Sequence, residues 1–191
     1  MMKSMSDWVH EGLRALLQPG DWALDATLGN GHDAELIIEC VGEAGQVWGL
    51  DIQASAIASA QQRLGSTKAI LAIECDHAQM GEHLPAEARG RLKAIVFNLG
   101  YLPGGDHQIT TQIQSTLAAL DIAFEWLAPE GALICTCYPG HSEGQVEAEA
   151  ITAWFEEQAQ SPGHLTRIEQ LCTRAPAPFV LWMERRLAPR P

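Results

Sequence analysis

The stretch Asp25-Ala26-Thr27-Leu28-Gly29-Asn30-Gly31-His32-Asp33 constrains this chain more than any other. It lies between an apolar run, Trp22-Ala23-Leu24, and an apolar-periodic run, Ala34-Glu35-Leu36-Ile37-Ile38. That order reads as strand, glycine turn, helix. Gly29 and Gly31 carry no Cβ, so the backbone can turn sharply there and come close to a ligand. The helix that follows opens with unpaired N–H groups. Together these features describe a cofactor loop at the first crossover of a parallel sheet.

The residues around the loop select the cofactor. A dinucleotide loop needs Gly-x-Gly-x-x-Gly, whose third glycine packs helix against strand. Here the third position holds Ala34. Asp25 and Asp33 flank the loop, and acids repel a pyrophosphate, whereas a cationic, phosphate-free cofactor is drawn to them. S-adenosylmethionine (SAM), a sulfonium with an ammonium, a ribose and an adenine, has that chemistry. The next strand ends in Asp51, 20 residues beyond Gly31, where a ribose-binding carboxylate belongs. The bland alternative is an ordinary turn and an ordinary strand-end acid. Loop, helix and spacing taken together favour SAM.

The rest of the chain alternates in the same way. Amphipathic spacing predicts a helix over 5–17. Strands are expected at 22–26, 46–50, 69–73, 92–97 and 132–137, with helices over 32–41, 54–64, 108–127 and 146–159 between or after them. Pro129-Glu130-Gly131 reads as a turn, and 165–171 with 179–184 as a closing antiparallel pair. The expectation is one α/β domain over 1–191: a doubly wound, seven-stranded, mostly parallel sheet. Ligands of such sheets sit beyond the carboxyl ends of the strands. Asp25, Asp51, Asp76, Asn98 and Tyr138 all fall there. Asp76 could accept from an adenine amino group or cap the next helix.

Asn98-Leu99-Gly100-Tyr101 is the second informative stretch. An amine attacking a methyl sulfonium needs its lone pair aimed at carbon and its N–H groups held by acceptors. An Asn carbonyl and the backbone carbonyls of a following turn supply acceptors, and an aromatic ring can stack on a flat base. The layout resembles the Asn-Pro-Pro-Tyr motif of amino-group methyltransferases that act on nucleic-acid bases, with Leu99 and Gly100 in place of the prolines. The competing reading is a strand-end Asn turn and a buried Tyr. His77, His107 and His141 could take a proton, yet a structural role is favoured for each. His10, on the first helix, could reach the pocket, with a surface position favoured. The seven histidines form no metal-ligand spacing, so no metal is expected.

Charge bounds the partners. A net charge of −12 opposes non-specific binding to nucleic acid, though a local patch can differ from the mean. Arg89, Arg91 and Lys93, or Arg185, Arg186 and Arg190, are the candidates for such a patch, with scattered solvated charge at least as good a reading of each. The chain has no long apolar run, no secretory signal is expected at the N-terminus, and the five cysteines lack framework spacing. A cytoplasmic protein with reduced thiols and no membrane partner is therefore expected.

Three segments, Asp25 to Asp33, Phe97-Asn-Leu-Gly-Tyr-Leu-Pro-Gly-Gly-Asp106 and Tyr138-Pro-Gly-His-Ser-Glu-Gly144, resemble the rRNA methylase family of SAM-dependent enzymes, as does the late Ala177-Pro178-Phe179. The resemblance implies a Rossmann-like class I methyltransferase fold. It implies methylation of the exocyclic amine of 5-aminomethyl-uridine, often 2-thiolated, at the tRNA wobble position. Other readings stay open: an rRNA or small-amine methyltransferase, or a SAM-binding protein without turnover. The resemblance implies SAM at Asp25, Thr27, Gly29, Asn30, Gly31, Asp33, Asp51, Gln53, Asp76, His77 and Asn98. It implies Asn98 and Tyr101 in catalysis, and Tyr101, Gly104, Gly105, His107, Tyr138 and His141 around the substrate. The implied partner is the tRNA anticodon loop, recognised by stacking and shape; a homodimer is left open.

Overall fold

A computed structural model describes residues 3–65, 67–100, 112–140, 142–160, 163–171 and 176–185. Its first helix, α1 (Met5–Leu16), starts at a capping box in which Ser4 and Asp7 satisfy each other's backbone N–H groups. Met5, Val9 and Leu13 form its buried stripe.

Then come β1 (Trp22–Asp25), α2 (His32–Val41), β2 (Gln46–Asp51), α3 (Ala54–Leu64) and β3 (Ile70–Glu74). A 3-10 turn (His77–Gln79) leads into the one-turn α4 (Met80–His83), and β4 (Leu92–Asn98) follows. The chain continues with α5 (Ile113–Trp126), β5 (Leu127–Cys137), α6 (Ser142–Gln158), β6 (Gly163–Glu169) and β7 (Phe179–Arg185).

The sheet order is β3-β2-β1-β4-β5-β7-β6. The first three strands step outward from β1, and β4 then returns to pair with the other side of β1. The winding direction therefore reverses between β1 and β4, which opens a crevice above their carboxyl ends. β7 runs antiparallel between β5 and β6, so the last strand is interior and β6 forms the edge.

Alternation along the strands sorts the core into two layers. Leu24, Ile95, Phe97 and Leu133 face α5 and α6, among Leu120 and Phe155. Ala23, Val47, Val96 and Ile134 face α1 and α2, among Val9, Leu13 and Ile37. The central strands are apolar throughout because both faces are covered.

The expected turn at 129–131 proves to be a bulge inside β5. Leu92 pairs with Leu127 but Ala94 with Ala132, so β5 carries three extra residues. Glu130 takes a φ of 59° there. A Cβ on Gly131 would lie 3.0 Å from the carbonyl oxygens of Ala128, Leu92 and Lys93, so only glycine fits without a shift. Turn chemistry was read correctly, and pairing across it was invisible. The described part of the helix expected over 108–127 begins at Ile113, and the strand expected at 69–73 lies one residue later.

Candidate active site

The carboxyl ends of β1, β2, β4 and β5 and the segment after β3 converge on a cavity of about 1060 Å³. The glycine loop forms its floor. The Leu28 N–H donates to the Leu50 carbonyl at 2.7 Å, which ties the loop to β2. Gly31 caps α2 with a φ of 80°, and a Cβ on it would meet Ala60 Cβ at 3.1 Å. Both conformation and space therefore demand glycine.

Asp51 braces the loop from β2. Its Oδ2 accepts from the Gly29 N–H and its Oδ1 from the Gln53 N–H, both at 2.9 Å. The helix α3 clamps the loop from outside: Ser59 Oγ donates to Asn30 Oδ1 at 2.9 Å, and Arg63 Nε donates to the Asn30 carbonyl at 2.8 Å. Sequence reasoning missed Ser59 and Arg63, although their spacing of four puts them on one helix face.

Asn98 is held from three directions. Its N–H donates to Thr27 Oγ1 at 2.6 Å, which joins β4 to β1 at the switch point. Its Nδ2 donates to Asp33 Oδ2 at 3.3 Å, and the Leu99 N–H reaches the Thr136 carbonyl of β5 at 3.0 Å. Gly100 then turns with a φ of 125°, a conformation that other residues avoid.

Asp33 sits in the first turn of α2, where the helix dipole favours an acid. Its Oδ1 lies 2.7 Å from His10 Nε2. His10 therefore reaches the site from α1, contrary to the surface position favoured for it. Tyr138 follows β5 on the cavity wall. Burial, then the Asp33 charge, pushes its phenol above the ordinary value, against a side-chain hydrogen bond with Asn98.

Asp25 is buried at the end of β1, and its Oδ2 has no hydrogen-bond partner. Burial first, then the charge of Asp33, holds its carboxyl well above the usual range, so it keeps a proton. Asp76 does cap the 3-10 turn, as the second reading of it allowed. Its Oδ1 accepts from the Ala78 N–H at 2.8 Å and the Ser115 hydroxyl at 2.5 Å. The carboxylate is still 42 % exposed on the cavity. Neither Ser115 nor its partnership was legible in the sequence.

His77 is buried edge-on against Phe97, ring centroids 5.8 Å apart, and its Nε2 has no hydrogen-bond partner. Burial pulls its pKa down, so the ring is neutral and a poor proton acceptor. Tyr101, Gly104, Gly105, His107 and His141 lie outside the described residues.

Charge decides what the cavity can hold. Asp33, Asp51, Asp76 and Glu143 line it, and no Lys or Arg does so among the described residues. A pyrophosphate finds no counter-charge here, whereas a cation does. Leu28 and the half-exposed Ile52 add apolar surface for a flat ring. This donor and acceptor set fits SAM.

The candidate basic residues lie elsewhere. Arg89 pairs with Glu125, Arg91 covers the Trp22 ring at 3.9 Å, and Lys93 Nζ donates to the Glu130 carbonyl. All three sit at the amino end of β4, about 20 Å from Asn98 at ~3.3 Å per strand residue. Arg185 contacts the Leu127 carbonyl at that same far end, and Arg186 and Arg190 lie outside the described residues. No described helix is long and apolar enough to cross a membrane. Among the described residues no group of three or more His, Cys, Asp or Glu side chains could hold a metal.

Residues 47–184 match the family described as "Putative rRNA methylase". The chain belongs to the rRNA methylase family. A relative from Arabidopsis thaliana, named tRNA (mnm(5)s(2)U34)-methyltransferase, chloroplastic, is 34% identical over 195 residues, covering 96% of this chain and 70% of its own. An rRNA methylase structure from Clostridium thermocellum superposes with a TM-score of 0.90 at 30% identity, covering 96% of this chain and 98% of that one. A methyltransferase structure from Streptococcus mutans, described as in complex with SAH, gives 0.84 at 26% identity, covering 96% and 99%. This chain thus has the Rossmann-like class I methyltransferase fold, and its family is one of SAM-dependent methyltransferases.

Proposed function

We propose that this protein is a SAM-dependent N-methyltransferase that acts on the exocyclic amine of 5-aminomethyl-(2-thio)uridine in a tRNA anticodon loop. The observation that carries the reading is an acid-lined cavity, free of Lys and Arg among its described residues, that ends at the Asn98 amide. The tRNA substrate is supported by the Arabidopsis relative, whose match spans nearly the whole chain.

SAM, when bound, supplies an electrophilic methyl group on a sulfonium, so transfer is an in-line displacement at carbon. The chain's own residues bind and orient. Gly29, Asn30 and Gly31 bring backbone close to the ligand, and Asp51 with Gln53 faces the ribose side. Asp76 and His77 stand on the adenine side. Asp33 gives the loop its acidic character at the cavity, Asp25 lies buried behind it, and Thr27 holds the Asn98 backbone.

Asn98 offers its carbonyl oxygen to the N–H groups of the incoming amine. Tyr101 and Tyr138 are assigned to the base, with Gly104, Gly105, His107 and His141 around it. An aliphatic amine is mostly an ammonium at neutral pH; an acid-lined mouth gathers it, and it attacks only after releasing one proton to bulk water, with SAH as the leaving group. Rate enhancement is then mainly orientation, worth on the order of 7–11 kcal/mol where the geometry is near attack.

Cys40, Cys75, Cys135 and Cys137 are free thiols, which supports a reducing, cytoplasmic setting. The net charge of −12 argues for a small RNA footprint read by stacking rather than by phosphate contacts.

The test supplies methyl-labelled SAM with tRNA bearing 5-aminomethyl-uridine, with rRNA, and with a small-amine extract, and identifies labelled nucleosides by mass spectrometry. Label in the wobble uridine is expected. Label only in rRNA or small amines would move the substrate class, and label nowhere would leave a SAM-binding protein without turnover. Asn98→Ala is expected to abolish labelling while keeping SAH affinity.

A further inference from the structure

Outside the residues already given roles, one contact reaches the reacting centre from an element not expected to take part: His10 on α1, 2.7 Å from the carboxylate of Asp33. We propose that His10 is a positioning residue which, through Asp33, decides which end of the Asn98 amide faces the substrate. The inference rests on the N-methyltransferase reading.

An Asn side chain has two ends of nearly equal shape and opposite chemistry. A carbonyl facing the amine accepts its N–H and leaves the nitrogen lone pair free for attack. An amino group facing the amine donates to that lone pair and blocks it. The backbone of Asn98 is fixed by Thr27 and Thr136, but those bonds do not choose between the two amide ends.

Asp33 chooses. A carboxylate only accepts, so the amide Nδ2 turns to Asp33 Oδ2 and the carbonyl turns the other way. Asp33 must itself stay aimed at Asn98, and His10 holds its second oxygen. The imidazole is only 23 % exposed and the carboxylate 11 %, so water competes weakly for the pair.

The chain of contacts therefore runs α1, α2, β4: His10, Asp33, Asn98. With His10 cut back, Asp33 can swing out to solvent, and the amide keeps only its hydrogen bond with Tyr138 to set its orientation. The Asp51 brace on Gly29 and Gln53, which orders the cofactor side of the loop, does not involve His10. A positioning role thus lowers turnover and spares cofactor affinity.

The experiment compares wild type, His10→Ala and His10→Gln for kcat on aminomethyl-uridine tRNA and for SAH affinity by calorimetry. His10→Ala is expected to lower kcat about 10- to 100-fold, as loss of a hydrogen bond to a charged group does. SAH affinity should stay within about twofold. Gln at this position can still donate to Asp33, and it should recover most of kcat.

A kcat for His10→Ala close to wild type would overturn the inference, as would equal losses in kcat and SAH affinity. A His10→Gln variant as slow as His10→Ala, with native melting and SAH binding, would also overturn it. Wild-type protein that labels no amine at all would instead overturn the N-methyltransferase reading.

Discussion

Removing the Asp51 carboxylate should weaken cofactor binding by an amount the structure sets. In Asp51→Ala two hydrogen bonds from the Gly29 and Gln53 N–H groups disappear, both 2.9 Å long and both to a charged acceptor. Each such bond contributes about 1.5–3 kcal/mol when sheltered. Asp51 borders the cavity, so water can rehydrate the freed N–H groups and recover part of this. The proposed hydrogen bond to the ribose hydroxyls would be lost as well. A net loss of roughly 1–3 kcal/mol in SAH binding follows, about 5- to 150-fold at ~1.4 kcal/mol per factor of ten. Calorimetric titration with SAH measures it, with a thermal melt of the ligand-free variant as the check on folding. Asp51→Asn keeps one acceptor and should fall between wild type and Ala. Wild-type SAH affinity in a folded Asp51→Ala variant would refute the placement of the ribose, and with it the assigned orientation of the cofactor.

Asp25 gives a pH dependence. Its folded pKa lies well above the ordinary 3.8, so the folded state keeps a proton that the unfolded chain has released. That contribution is full below the unfolded pKa and is lost as pH rises toward the folded one. Asp25→Asn, which mimics the protonated acid, should therefore gain melting temperature relative to wild type as pH rises from 5 to 8; a constant difference would contradict the buried-proton assignment. Thr27→Val leaves the Asn98 N–H without its acceptor at nearly unchanged shape. A loss of about 1–3 kcal/mol is expected, or several degrees in melting temperature at ~2–4 °C per kcal/mol for a chain of this size, together with a lower kcat. An unchanged melt and rate would show that the β1–β4 link is dispensable.

Much of the site was legible because its signals are local. Glycines at 29 and 31, an acid at each strand end and an Asn-x-Gly-Tyr turn need only neighbours in sequence to be recognised. Strand alternation placed Asp25, Asp51, Asn98 and Tyr138 at carboxyl ends, and the structure gathers all four there. What the sequence could not show were partnerships between distant residues. The two oxygens of Asp33 meet His10, 23 positions away, and Asn98, 65 positions away. Arg89, Arg91 and Lys93 are close in sequence, and only the fold places them at the end of β4 remote from Asn98.

The sequence by itself determined the order of strands and helices, the glycine turn and the acidity of the cofactor loop, since periodicity, missing Cβ atoms and charge act over a few residues. Only the tertiary structure decided which way the sheet winds back, which acid caps a turn, which carboxyl is buried and which histidine meets Asp33 beside the Asn98 amide. Those depend on what burial brings together, and burial couples residues that the chain itself keeps far apart.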